Sequence, residues 1–106
     1  MPLQGERASG IGIQMIVHFT IRGPISKRID SSSLALDIQE GCTVGEALAQ
    51  LIGSNPEVGK EWHVPERICR ETLILINERD VEMLNGLDTT LESDDKVVIL
   101  PLIHGG

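Results

Sequence analysis

Apolar and polar residues alternate over 14–22. Met15, Val17, Phe19 and Ile21 share one face of a predicted strand, and Ile16, His18, Thr20 and Arg22 share the other. Gly23-Pro24 breaks it. Leu34, Leu36 and Ile38 alternate with Ala35 and Asp37 as a second strand, close enough to pair with the first through a loose loop over 26–32. After Gly41 the period changes. Thr43-Val44-Gly45-Glu46 is a capping box, in which the Thr43 hydroxyl accepts from the Glu46 amide and the Glu46 carboxylate accepts from the Thr43 amide. The helix it opens places Val44, Ala47, Leu48, Leu51 and Ile52 on one stripe, and Gly53-Ser54-Asn55-Pro56 ends it. Gly45 in the first turn costs about 1 kcal/mol relative to alanine, which a close approach of backbone to sheet would explain. Residues 57–70 show no clear period and are expected to form a loop with one helical turn. Leu73-Ile74-Leu75-Ile76 is apolar on both faces, as in a strand buried in the middle of a sheet. A turn over 77–80 then leads to a short returning strand at 81–83, an irregular connection over 84–89, and a last strand over 96–100 entered through Asp94-Asp95.

The order strand, strand, helix, strand, short strand, strand predicts an α+β fold: a mixed sheet of four to five strands with one main amphipathic helix on one face. The crossover lets the last strand lie beside the first, so the tail projects from the middle of the sheet. Three regions follow: an N-terminal extension over 1–12, expected to be flexible with Gly5, Ser9, Gly10 and Gly12; a domain over 13–100; and a tail over 101–106. In 96–100 Val97 and Ile99 point one way, and Val98 and Leu100 the other. One helix covers one face, so Val98 and Leu100, with Ile16, are candidates for an exposed apolar patch; burial under 57–70, or in a dimer, is the alternative.

Composition narrows the function. Phe19 and Trp62 are the only aromatics, so the core is aliphatic. A net charge of −7 argues against a nucleic-acid binder, which needs a basic stripe, and fits steering toward a basic partner surface. No stretch is long and apolar enough to span a membrane, and 1–12 lacks the apolar block of a signal peptide, so the expected location is the cytoplasm. Cys42 and Cys69 form no CxxC and are expected to be reduced. Cys42 sits at a helix N-terminus, where a thiolate is stabilised, although an idle cysteine is the simpler role. His18 and His63 lack metal-ligand spacing, Asp94-Asp95 reads as turn chemistry, and no metal site is expected. No glycine-rich loop is present to cradle a phosphate, so no cofactor is expected on the chain itself.

The chain ends Pro101-Leu102-Ile103-His104-Gly105-Gly106. A proline is expected to stop the strand. Two residues without Cβ can then thread a narrow channel and leave the terminal carbonyl uncrowded. That carboxylate is ionised at neutral pH and must gain a leaving group before it can transfer its acyl group. His104 lies close enough to serve as a proton shuttle, but a solvated side chain or a partner contact is the simpler role.

In this order, Gly41-Cys42-Thr43-Val44-Gly45-Glu46-Ala47-Leu48, Ile74-Leu75-Ile76-Asn77, Leu87-Asp88-Thr89-Thr90-Leu91, Asp94-Asp95-Lys96-Val97-Val98 and the Gly-Gly ending resemble the β-grasp, ubiquitin-like sulfur carriers: MoaD, ThiS, the archaeal small modifiers called SAMPs and the ubiquitin-related modifier. The resemblance spans 14–106. His104 stands where MoaD-like tails usually carry a small residue, Asp95 stands where a glycine is common, and 57–70 matches nothing in the family. The resemblance implies that a ubiquitin-activating-type enzyme adenylates Gly106 with ATP. A sulfur donor then makes a thiocarboxylate, serving molybdopterin synthesis with the large synthase subunit, or a lysine of a target protein is modified. Gly105, His104, Ile103, Leu102, Leu100 and Val98 are the implied partner contacts, and the chain is a carrier rather than an enzyme. A β-grasp interaction module with an inert tail remains the third possibility. The chain's own lysines are Lys27, Lys60 and Lys96.

Overall fold

The alternation over 14–22 folds as strand β1 (Gln14–Ile21), with Met15, Val17, Phe19 and Ile21 buried and Gln14, Ile16 and His18 exposed. This is a computed structural model that describes residues 13–29 and 33–102. The expectations for 1–12 and for Ile103, His104, Gly105 and Gly106 lie outside the described residues. Strand β2 (Ser33–Gln39) pairs antiparallel to β1, with Ile38 opposite Met15 and Leu34 opposite Phe19. The loop between them is less loose than expected: it begins with a 3-10 turn, Pro24–Lys27, that buries Ile25.

Helix α1 (Val44–Ser54) carries the expected capping box, with Glu46 N–H donating to Thr43 Oγ1 at 3.2 Å and Thr43 N–H donating to Glu46 Oε1 at 2.9 Å. Its buried stripe is Val44, Ala47, Leu48 and Leu51. Gly45 does permit a close approach, but not to the sheet: a Cβ there would lie 3.3 Å from the Leu87 carbonyl oxygen, in the 3-10 turn Gly86–Asp88.

Residues 57–70 form two short helices rather than a loop, α2 (Pro56–Trp62) and α3 (Pro65–Glu71). Pro56, read as part of a helix stop, and Pro65 sit at the start of each helix, where a missing N–H costs nothing and the fixed φ suits the first turn. Asn55 caps α2, and Val58, Trp62 and Ile68 join the core. Between the helices His63 has φ 64° and ψ −49°, and Val64 N–H donates to the Trp62 carbonyl at 2.6 Å. This i to i+2 bond closes a γ-turn of the rare, strained hand.

Strand β3 (Thr72–Ile76) buries Thr72, Ile74 and Ile76 but leaves Leu73 and Leu75 half-buried, so the run is covered on one face only. A tight turn through Asn77 (φ 49°) and Glu78 (φ 71°) leads to a two-residue strand β4 (Arg79–Asp80). The expected return strand at 81–83 is instead a 3-10 turn, Val81–Met83, because the Asp80 carboxylate accepts from Glu82 N–H at 2.8 Å and curls the backbone. Strand β5 (Lys96–Pro101) completes a five-stranded sheet in the order β2-β1-β5-β3-β4. The inward side chains of the sheet share one core with α1, α2 and α3.

Candidate functional site: the base of the tail and the open sheet face

Strand β5 is the central strand, as the crossover argument requires. It runs parallel to β1, with Val97 opposite Phe19 and Ile99 opposite Ile21. On its other side it runs antiparallel to β3, with Val98 opposite Leu75, Leu100 opposite Leu73 and Pro101 opposite Thr72. Pro101 does not stop the strand. Leu102 N–H still donates to the Glu71 carbonyl at 3.2 Å, one residue beyond the proline. Successive strand N–H groups alternate between neighbours, so the donor that Pro101 lacks falls on the β1 side, where β1 has already ended. Gly23 (φ 92°) makes room there: a Cβ on it would stand 2.6 Å from Pro101 Cγ. Strand β5 is thus flanked by both β1 and β3 up to Ile99 and by the β3 side alone through Leu102.

On the face away from the helices Leu73, Leu75, Val98 and Leu100 lie side by side across β3 and β5, all half-buried. Leu102 continues the row and is 49% exposed. Helices α2 and α3 pack on the opposite face, so burial under 57–70 is excluded. Of the expected patch, Val98 and Leu100 are brought together, whereas Ile16 is not. Ile16, 43% exposed, pairs with Asp37, and its carbonyl accepts from Asp94 N–H at 2.7 Å, ahead of the start of β5. His18 and Lys96, paired in register, separate it from Val98. Leu73 and Leu75 were missed as patch residues, although their signal was present: two apolar faces in a sheet with helices on one.

Charges of both signs border the patch. Lys96 opens β5 and Arg22 follows β1 directly, its N–H donating to the Ile99 carbonyl. Neither side chain is in an ion pair among the described residues. On the other side of the row Asp80 is paired in register with Leu75, and Glu78 lines a shallow pocket with Lys96 and Val98. His18 Nε2 stands 3.4 Å from Asp94 Oδ1.

Burial, then the Glu46 charge, pushes the Cys42 thiol up, against the lowering effect of a backbone hydrogen bond at Gln39. Burial, the hydrogen bond to Glu82 and the nearby acids push Cys69 up as well. Among the described residues no cluster of three or more histidine, cysteine or acidic side chains could hold a metal. No helix among them is long and apolar enough to cross a membrane.

A mixed five-stranded sheet grasping helices on one face defines a ubiquitin-like β-grasp fold. The chain belongs to the ThiS family, whose model matches residues 25–106. The ubiquitin-related modifier 1 homolog of Drosophila willistoni is 29% identical over 82 residues, covering 74% of this chain and 79% of that protein. The solution structure of small archaeal modifier protein 1 from Methanosarcina acetivorans superposes with a TM-score of 0.70 at 24% identity, over 90% of this chain and all of that one. A complex of subunits 1 and 2 of the molybdopterin-converting factor from Helicobacter pylori contains a chain with a TM-score of 0.54 at 23% identity, covering 87% of this chain and all of that one. Proteins of this family are small carriers rather than catalysts, and the fold is found bound to partner proteins.

Proposed function

We propose that this chain is a sulfur carrier whose reactive group is the Gly106 carboxylate. The carboxylate attacks the α-phosphorus of ATP on a ubiquitin-activating-type enzyme and expels pyrophosphate. A reduced sulfur donor then attacks the acyl-adenylate, AMP leaves, and Gly106 carries a thiocarboxylate. The ATP is bound by the activating enzyme, not by this chain. Leu73, Leu75, Val98 and Leu100 dock the enzyme, and Leu102, Ile103, His104 and Gly105 lead Gly106 into its nucleotide site. The observation that carries this reading is the apolar row on the open face at the root of the strand that delivers the tail. Burial of that row on docking supplies affinity at about 25 cal/mol per Å² before the costs of association. The molybdopterin-converting pair supports a sulfur acceptor in molybdopterin synthesis, with the large synthase subunit on the same face in the cytoplasm.

A second use of the same adenylate is favoured by the names of the Drosophila and Methanosarcina proteins, both modifiers: attack by a target lysine, which joins Gly106 to it through an isopeptide bond. Intact mass spectrometry after incubation with the host's activating enzyme, ATP and sulfide separates the readings. A gain equal to sulfur replacing oxygen, lost in Gly106→Ala, establishes the carrier. An enzyme-linked or lysine-linked product without that gain establishes the modifier. No ATP-dependent change with a competent enzyme overturns both.

A further inference from the structure

Strand pairing arranges the outward side chains of the open sheet face in rows that cross the strands. In the central row Thr20, Val98, Leu75 and Asp80 stand in register from β1 to β4. In the row on one side of it His18 pairs with Lys96, whose backbone bonds Asn77, and the turn residue Glu78 follows, lining a shallow pocket with Lys96 and Val98. In the row on the other side Leu100 pairs with Leu73, and Arg22 stands beside Leu100. The face therefore carries cations on its β1 and β5 side, carboxylates at β4 and the turn before it, and aliphatics between them. Arg22, Lys96 and Glu78 are exposed, and among the described residues none of the three is in an ion pair.

A second copy of this chain is the partner that such a gradient fits. Two sheets pack face to face about 10 Å apart, with their strands within about 30° of each other. A two-fold axis along the strands, between β5 and β3, exchanges the two sides of the face and keeps every row at its own level. Val98 then meets the partner's Leu75, and Leu100 meets the partner's Leu73. Lys96 meets the partner's Glu78, while Thr20 and Arg22 meet the partner's Asp80. Every contact occurs twice, as an isologous interface requires. A two-fold axis across the strands would instead set Asp80 against the partner's Asp80 and leave the cations unmatched.

We propose that the open face is also a self-association surface, on which two copies pair sheet to sheet with Lys96 of each against Glu78 of the other. Three rows across four strands span roughly 20 Å by 20 Å, or ~400 Å² per chain. That is about half of a standard interface, and the net charge of −7 on each copy opposes it. The dimer is accordingly weak, with a dissociation constant on the order of 0.1–1 mM. A chain within it has no free face, so self-association competes with every other partner of the aliphatic row. The inference concerns the protein alone and does not depend on the chemistry of its tail.

Sedimentation equilibrium of the full chain, with no other protein present, tests this. The weight-average mass is expected to rise above 11.6 kDa, toward twice that value, between ~20 µM and ~1 mM. Glu78→Lys and Lys96→Glu each set like charges together at both symmetric contacts, so each variant alone should stay at the monomer mass over the same range. Mixed in equal amounts, the two variants restore both contacts with the signs exchanged, and the mixture should associate as the natural chain does. Both positions are exposed, and an unchanged melting temperature of each variant verifies its fold. A natural chain that keeps the monomer mass at the highest concentration overturns the proposal. Association that survives in either variant alone, or a mixture that stays monomeric, overturns it as well.

Discussion

At the scale of single residues, Gly23 sets the tightest backbone condition. Gly23 combines φ 92° with a contact that leaves a Cβ 2.6 Å from Pro101. Gly23→Ala is therefore expected to destabilise the domain by about 1–3 kcal/mol, or roughly 5–15 °C in melting temperature, read by thermal denaturation. An unchanged melting temperature would show that the corner beside Pro101 can shift. The cysteines make a pH prediction. Both thiols are pushed above their ordinary range, so the folded state holds protons that the unfolded chain has released. Stability from these groups is present at neutral pH and falls as pH rises through the unfolded thiol value toward the folded one. Alkylation of the native protein should accordingly be slower at pH 7 than that of the urea-unfolded chain, and should accelerate only at alkaline pH. Equal rates at pH 7 would place a reactive thiolate in the fold.

At the scale of elements, legibility followed the range of the interactions. The capping box at Thr43 and Glu46 and the alternation of β1 are closed within four to eight residues, and both stood in the sequence plainly. Helices α2 and α3 did not, since each is seven residues long and is held by Val58, Trp62 and Ile68 against distant partners. Isolated helices that short are unstable in water, so no local pattern had to announce them. The turn at 81–83 was lost to a single side-chain cap from Asp80. His63 joins the two helices in strained backbone, and His63→Gly should remove about 1–2 kcal/mol of that strain after its own entropy cost. The expected result is a higher melting temperature and denaturation midpoint. A lower one would mean that the imidazole itself supports the α2–α3 corner.

At the scale of the whole molecule, the sheet separates two jobs. One face is the core; the other is a row of half-buried aliphatics that is complete only when something covers it. Val98→Asp and, independently, Leu73→Asp should each abolish adenylation by the activating enzyme while leaving the circular dichroism spectrum and cooperative melting in place, because both side chains already meet water. Full adenylation by either variant would remove the docking face from the proposed function. The patch was half visible in the sequence: Val98 and Leu100 emerged from the two-sided pattern of β5. Leu73 and Leu75 looked like deep core because their run was apolar throughout, although the one-helix layout that exposed Val98 and Leu100 applied equally to them.

The neighbourhood of β5 and β1 carries one more consequence. The two strands run parallel, side by side, and one leads out to each end of the domain. A pull between the N-terminal segment and a tail fixed to a partner would drag them in opposite directions along their shared ladder. Every hydrogen bond of the ladder is then loaded at once instead of being peeled in turn. A machine that hauled on this tail would meet the fold along its most resistant axis, and its progress would be governed by the rate of that single rupture rather than by equilibrium stability.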